Sequence, residues 1–407
     1  MKSISLNNYT SIIGSNEIER VKVLAEEISN ASVCHVNSTS FGGGVAEILH
    51  RLVPLMRDVG LNAEWKIIKG SDDFFNVTKT IHNDLQGMNI PLTKQMKETY
   101  LEYAEVNADE LDLNHAFVVV HDNQPAAIIN YYSAKAGKWI WRCHIDLSAP
   151  NMAVWKFLAQ YVQQYDAAVF SMKKYVRSDL KMPKTAIIPP SIDPLSNKNK
   201  KISESLTLKV LERYNVNPDE PIITQVARFD PWKDPLGAID VYRIVKRKIS
   251  NVQLLLISSM ADDDPEGWSY YEKTARHAGE DYDIHFLTNL IGVGDLEVNA
   301  FQRATNVALQ MSTREGFGLS VTEALWKGVP VIGRKAGGIP LQVMDGSTGF
   351  LVSDVKEAAE KTLNLLKHPE KAKEMGEKGR EHILRNFLIT RHLKDYLNLF
   401  IQLSQVD

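Results

Sequence analysis

Short, continuous apolar runs alternate along this chain with stretches in which apolar residues return every three or four positions. The first pattern predicts strands buried on both faces, the second amphipathic helices. In the first half the runs are Ser32 to Val36, Glu64 to Ile68, Ala116 to His121, Trp139 to Cys143, Ala167 to Ser171 and Ala186 to Ile188. A helix predicted from Val45 to Val59 has its apolar face at Val45, Ile48, Leu49, Leu52 and Leu55. The second half repeats the alternation. Strands are predicted at Ile222 to Ala227, Gln253 to Ser258, Ile284 to Leu287, Val307 to Met311 and Val329 to Ile332, with helices at Pro235 to Lys248 and Ser320 to Trp326. Apolar strands separated by helices belong to parallel sheets covered on both sides. Between the halves, Pro189 to Lys201 is rich in proline, asparagine and lysine and lacks an apolar period, the composition of a linker. The expected architecture is α/β, with two doubly wound Rossmann-like domains, 1–200 and 201–387. An amphipathic helix follows over Thr390 to Leu403.

Composition narrows the class. The 407 residues carry 47 Lys+Arg against 50 Asp+Glu, a net charge of −3, with 44% hydrophobic and 24% charged residues. That length suggests two domains, and the balance excludes wholesale disorder and a dedicated nucleic-acid binder. Cys34 and Cys143 lack zinc-ligand spacing and read as buried hydrophobes of a reducing compartment. Met1 to Glu17 is polar, and runs such as Val252 to Ile257 fall far short of the roughly 20 residues that span a bilayer. The expectation is a cytoplasmic protein without a membrane partner.

Several constellations sit where strands end. Phe41-Gly42-Gly43-Gly44-Val45 joins a strand to a helix, and glycines there let a ligand approach the backbone and the helix N-terminus. A plain tight turn is the alternative, and the spacing is not the dinucleotide fingerprint. Arg228 and Lys233 lie five residues apart after the strand at Ile222; a guanidinium fork and an ammonium together could neutralise a diphosphate. A surface ion-pair cluster with Asp230 and Asp234 is the alternative. In Ser312 to Leu325, Glu315 and Glu323 are separated by two glycines, Gly316 and Gly318. Eight positions of continuous helix span about 12 Å, beyond the roughly 5–9.5 Å of a glycosidase carboxylate pair. Glu315 is therefore expected in a loop, suited to sugar hydroxyls, and Glu323 in the following helix, within reach of a ribose. Backbone N–H groups of Gly318, Leu319 and Ser320 would face a phosphate. His144, at a strand end next to Arg142 and Asp146, would point into the cleft that the sheet edge opens, a structural histidine being the alternative. His121, Asp122 and Gln124 offer the mixed donors and acceptors that a polyol needs, an Asx turn being the alternative. Asp262-Asp263-Asp264 and Gly292-Val293-Gly294 read as solvated turns, not as metal or phosphate sites.

These residues together resemble retaining glycosyltransferases of the GT-B fold, glycosyltransferase family four, over nearly the whole chain. Glu315 and Glu323 match that family's paired-glutamate signature. Arg228 and Lys233 match its diphosphate-binding pair, and Gly42, Gly43 and Gly44 its glycine loop. Asp345 to Val352 and the turn at Gly337, Gly338 and Pro340 are also similar. Within the family, His121 to Pro125 and Trp141 to Asp146 look most like trehalose synthases of the glycosyltransferring type.

The resemblance implies two domains facing a central cleft, with the helix 388–407 returning to the first. It implies transfer of glucose from UDP- or ADP-glucose to glucose. Thr288-Asn289-Leu290, where many members have a glycine, leaves the nucleobase contacts open. His144, Arg228, Lys233 and Glu315 would be catalytic. Donor contacts would come from Gly42 to Gly44, Gly316, Phe317, Gly318, Leu319, Ser320 and Glu323, and acceptor contacts from His121, Asp122, Gln124 and Asp146. No cofactor and no protein-bound catalytic metal are expected, although magnesium is allowed beside the diphosphate. The partners are small molecules, with a homodimer allowed. A trehalose phosphorylase, or a transferase with another sugar acceptor, is the alternative.

Overall fold

The computed structural model describes residues 4–40, 43–260 and 265–405. Gly42 and the Asp262 to Asp264 turn lie outside the described residues. The chain divides into two compact units, 1–191 joined by 389–407, and 192–388.

Among its described residues the first unit contains six strands: β1 Ser32–Asn37, β2 Asn62–Ile67, β3 Phe117–His121, β4 Lys138–Cys143, β5 Ala167–Phe170 and β6 Lys184–Ile187. They form one sheet in the order β2-β1-β3-β4-β5-β6. Every pairing is parallel, with Cys34 opposite Glu64 and His121 opposite Arg142. Its longer helices are α1 Ser15–Glu26, α2 Gly43–Asp58, α3 Asp72–Leu85, α4 Lys94–Glu110 and α5 Met152–Val162. Side chains alternate across the sheet as strand geometry requires. Cys34, Val118, Trp139, Trp141 and Phe170 pack with α3 to α5 on one face. Val33, Phe117, Val119, Ile140 and Val169 pack on the other with α1, α2 and the chain's last described helix.

The second unit repeats the plan. Its strands are β7 Ile222–Val226, β8 Gln253–Ser258, β9 Ile284–Thr288, β10 Val307–Gln310, β11 Val331–Arg334 and β12 Gly349–Val352, ordered β12-β11-β10-β7-β8-β9 and all parallel. The longer helices are α6 Glu204–Arg213, α7 Pro235–Lys246, α8 Pro265–Ala278, α9 Asp295–Ala304, α10 Leu319–Trp326, α11 Val355–Lys367 and α12 Pro369–Asn386. Asp234 starts α7 by accepting the Gly237 N–H at 2.9 Å, with Pro235 at the first helical position. Close backbone approach holds α10 in place: a Cβ on Gly376 of α12 would lie 1.8 Å from the Gly328 carbonyl.

The predicted linker needs correcting. Residues 192–200 pack into the second unit, with Ser196 and Asn199 buried. The Asn199 carbonyl accepts from Trp326 Nε1 at 3.2 Å and from Arg303 at 3.3 Å, and its side chain accepts from Lys327 at 2.9 Å. The last helix, α13 Ile389–Ser404, belongs to the first unit. Its Leu393, Tyr396, Leu397 and Phe400 are buried, and Phe400 stacks on Phe117 at 4.4 Å.

Candidate active site

In each sheet the strand order reverses at one place, between β1 and β3 and between β7 and β10. Loops leaving such a pair of strands turn to opposite faces and open a crevice at the carboxyl ends. The residues singled out in the sequence follow these strands.

In the second unit, two loops meet at a carboxylate. Glu315, in the loop after β10, is buried. Its Oε2 accepts from Lys233 Nζ at 2.7 Å, Ser312 Oγ at 3.1 Å and Gln310 Nε2 at 3.2 Å. Lys233 comes from the loop after β7, so the contact ties the two loops together. Gln225, at the end of β7, reinforces the tie. Its Nε2 donates to the Lys233 carbonyl at 3.0 Å and its Oε1 accepts from the Met311 N–H at 3.0 Å. Thr313 N–H donates to the Trp232 carbonyl at 2.7 Å, and the Arg314 guanidinium lies 4.9 Å over the Trp232 ring. An ammonium has three donors, of which this contact uses one.

Gly318 has φ +84, and a Cβ there would sit 3.2 Å from Glu315 Cγ, so glycine is required beside the carboxylate. Gly316 and Gly318 with Leu319 and Ser320, the first residues of α10, are half-buried, and Ser320 Oγ donates to Gln310 Oε1 at 3.0 Å. Phe317 is buried, its carbonyl held by Gln342 at 2.6 Å. Glu323 is buried within α10, 3.6 Å from Lys198 Nζ. Arg228 is exposed and contacts Asp230 at 3.4 Å. Asp234 does not join that pair; it contacts Arg334 at 2.8 Å.

In the first unit, Gly43 opens α2 with φ +76, and Gly44 is half-buried. Asp122 follows β3 with φ +61, a conformation uncommon outside glycine and found where surroundings over-determine it. Its Oδ1 accepts the His144 N–H at 2.7 Å, and its carbonyl accepts Trp141 Nε1 at 2.7 Å. Burial pushes the Asp122 carboxyl up to about 7. His144 is half-buried, and its Nε2 lies 3.1 Å from His121 Nδ1. His121 Nε2 lies 3.0 Å from His35 Nδ1. His121 is buried with both ring nitrogens engaged by histidines, which leaves it no nitrogen for a sugar. Gln124 Oε1 is buried with no hydrogen-bond partner among the described residues. Asp146 is half-buried and accepts the Ser148 N–H at 2.9 Å.

Sequence reasoning missed His35, Gln225, Gln310 and His392. Polar residues inside apolar strand runs were the available signal for the first three. Among the described residues, the one group of metal-ligand types close together is Cys34, Glu64 and His115. The same Glu64 oxygen takes Lys66 at 2.8 Å and His115 at 2.7 Å, and burial pushes the Cys34 thiol up to about 12. It is a hydrogen-bonded cluster already occupied by a cation of its own. Both cysteines are free and buried. No helix among the described residues is long and apolar enough to cross a membrane.

Two family models match the chain: the trehalose synthase N-terminal domain over residues 35–177, and glycosyl transferases group 1 over residues 209–382. A trehalose synthase of Thermococcus litoralis is 60% identical over 97% of this chain and 96% of its own. One from Rubrobacter xylanophilus is 48% identical over 99% and 98%. A trehalose phosphorylase of Pleurotus pulmonarius is 28% identical over 86% of this chain and 54% of its own. Among solved structures, sucrose-phosphate synthase from Thermosynechococcus elongatus superposes with a TM-score of 0.73 at 18% identity, covering 93% of this chain and 100% of that one. Fold, family models and relatives thus define a GT-B glycosyltransferase. The chain belongs to the trehalose synthase family, and its activity is glycosyl transfer in trehalose metabolism.

Proposed function

We propose that the protein transfers glucose from a nucleotide-glucose, UDP- or ADP-glucose, to free glucose, with retention, to give trehalose. The observation that carries the reading is the Lys233–Glu315 contact at 2.7 Å, which joins the loops after β7 and β10 at the strand-order reversal. Lys233 and Arg228 stabilise the charge that builds on the departing diphosphate, the electrostatic term that usually dominates such transfers. Glu315 fixes Lys233 and accepts from donor-sugar hydroxyls, and Glu323 takes the ribose. Gly316 to Ser320 present backbone N–H groups to the phosphates. Gly43 and Gly44 let the donor approach the first unit's backbone. His144 hydrogen-bonds the donor sugar, and Asp122, Gln124 and Asp146 orient the acceptor.

The leaving phosphate takes the acceptor's proton on the face from which it departs, so no carboxylate nucleophile is needed. The cationic pair fills the role that a metal fills elsewhere. The setting that suits two free thiols is the cytoplasm. Product analysis after incubation with glucose and each nucleotide-glucose tests this reading. A trehalose peak with one donor is expected. Trehalose formed only from glucose 1-phosphate would establish the phosphorylase reading, which the Pleurotus relative favours.

A further inference from the structure

The polar layer under α13 is unusual in a face that is otherwise apolar. Strand alternation places His35, His121 and Arg142 on the α13 side, and Tyr396 of α13 meets the His35 ring edge-on at 5.8 Å. His392 of α13 stacks on Tyr396 and contacts Ser191 Oγ at 3.0 Å. Through this layer runs the row His35–His121–His144, with contacts of 3.0 and 3.1 Å between ring nitrogens.

A neutral imidazole has one N–H and one lone pair. His121 uses both nitrogens within the row, so it donates at one end and accepts at the other, and the whole row has a single polarity. Only two arrangements satisfy both contacts. In one, the protons point toward His35, and His35 Nε2 carries an N–H. That atom is buried with no partner among the described residues. In the other, the protons point toward His144, whose Nδ1 carries the free N–H at the half-buried end of the row. A buried N–H without an acceptor is rare and costly, so the proton belongs where an acceptor can reach it.

We propose that His35 and His121 are positioning residues that fix His144 as its Nδ1–H tautomer, making it a hydrogen-bond donor toward the sugar it meets. That His144 meets the donor sugar rests on the function proposed above; the tautomer itself does not. Burial holds all three rings neutral, with His35 pulled down to about 3 and His121 and His144 well below the usual histidine range. The charge of Arg142 on β4 acts in the same direction on His121 and His144. Among the described residues, Arg142, Asp122, Tyr396 and His392 are the titratable groups that face the row.

The test is nitrogen-15 spectroscopy of the histidine rings in the full chain, with scalar couplings read across the N–H···N hydrogen bonds. Expected are protons on Nδ1 of His35, His121 and His144, with couplings joining His35 Nδ1 to His121 Nε2 and His121 Nδ1 to His144 Nε2. A proton on His144 Nε2, or averaged tautomers in the unaltered protein, would overturn the proposal. In His121→Phe, His144 should lose its single tautomer, and kcat should fall about tenfold or more while KM for glucose holds. A pure Nδ1–H His144 in that variant would also overturn it. If His121→Phe does not fold, the spectrum of the unaltered protein decides alone. If the expected spectra come with no transfer from any nucleotide-glucose, the proposed function fails and the tautomer assignment stands.

Discussion

At the scale of single residues, Lys233 and Asp122 carry the clearest consequences. Lys233 is placed by its own backbone, through Gln225, and by its ammonium, through Glu315. Lys233→Ala should lower kcat by about 10²–10³-fold, read from initial rates over a range of donor concentrations; an unchanged kcat would remove it from the mechanism. Asp122 is a stability liability. Its carboxyl ordinarily loses its proton near 3.8 but keeps it to about 7 in the fold. Between those values the native state holds a proton that the unfolded chain has lost, so stability falls as pH rises through the window, and the full cost applies above it. Asp122→Asn keeps the acceptor for His144 and tolerates the positive φ. Urea unfolding should show it more stable than the parent at pH 8, by about 4 kcal/mol at most, with the difference vanishing near pH 4. The placement of Glu315 in a loop and of Glu323 in the following helix was legible because Gly316 and Gly318 rule out one continuous helix between them, and that of Lys233 because it follows a predicted strand. Gln225, Gln310 and His35 were not, because their partners come from loops and strands distant in the chain, although a glutamine closing an apolar strand was a visible sign.

At the scale of elements, every strand but β12 was readable to within two residues, since a parallel sheet covered on both faces leaves no polar alternation to confuse them. The stretch 192–200 was misread for a physical reason. Proline, asparagine and lysine compose both loose linkers and ordered straps, and what orders this one is Trp326, Arg303 and Lys327 far along the chain. α13 was legible as amphipathic, but the surface it covers could not be read from its own pattern. That surface includes Phe117 and Val119, with α2 alongside. Phe400→Ala should therefore cost about 3–5 kcal/mol, measured by urea unfolding monitored on the first unit's tryptophans; a loss below 1 kcal/mol would mean that α13 is not part of that core.

At the scale of the whole molecule, the boundary between units follows packing, not composition. A fragment 192–388 should unfold cooperatively, while 201–388 should melt about 5–10 °C lower, because Trp326 and Arg303 lose the Asn199 carbonyl. Calorimetry on the two fragments checks this, and equal melting temperatures would return 192–200 to the status of a tether.

The first unit is assembled from two stretches of chain separated by the whole of the second. A ribosome therefore finishes the second unit before the helix that covers one face of the first unit's sheet exists. At about 5–20 residues per second, the 197 residues of 192–388 (388 − 192 + 1) keep Phe117, Val119 and Ile140 waiting for α13 for about 10–40 s. The usual order of synthesis, first domain folded first, is reversed here. The nascent chain has a defined interval in which its amino-terminal half needs protection from aggregation.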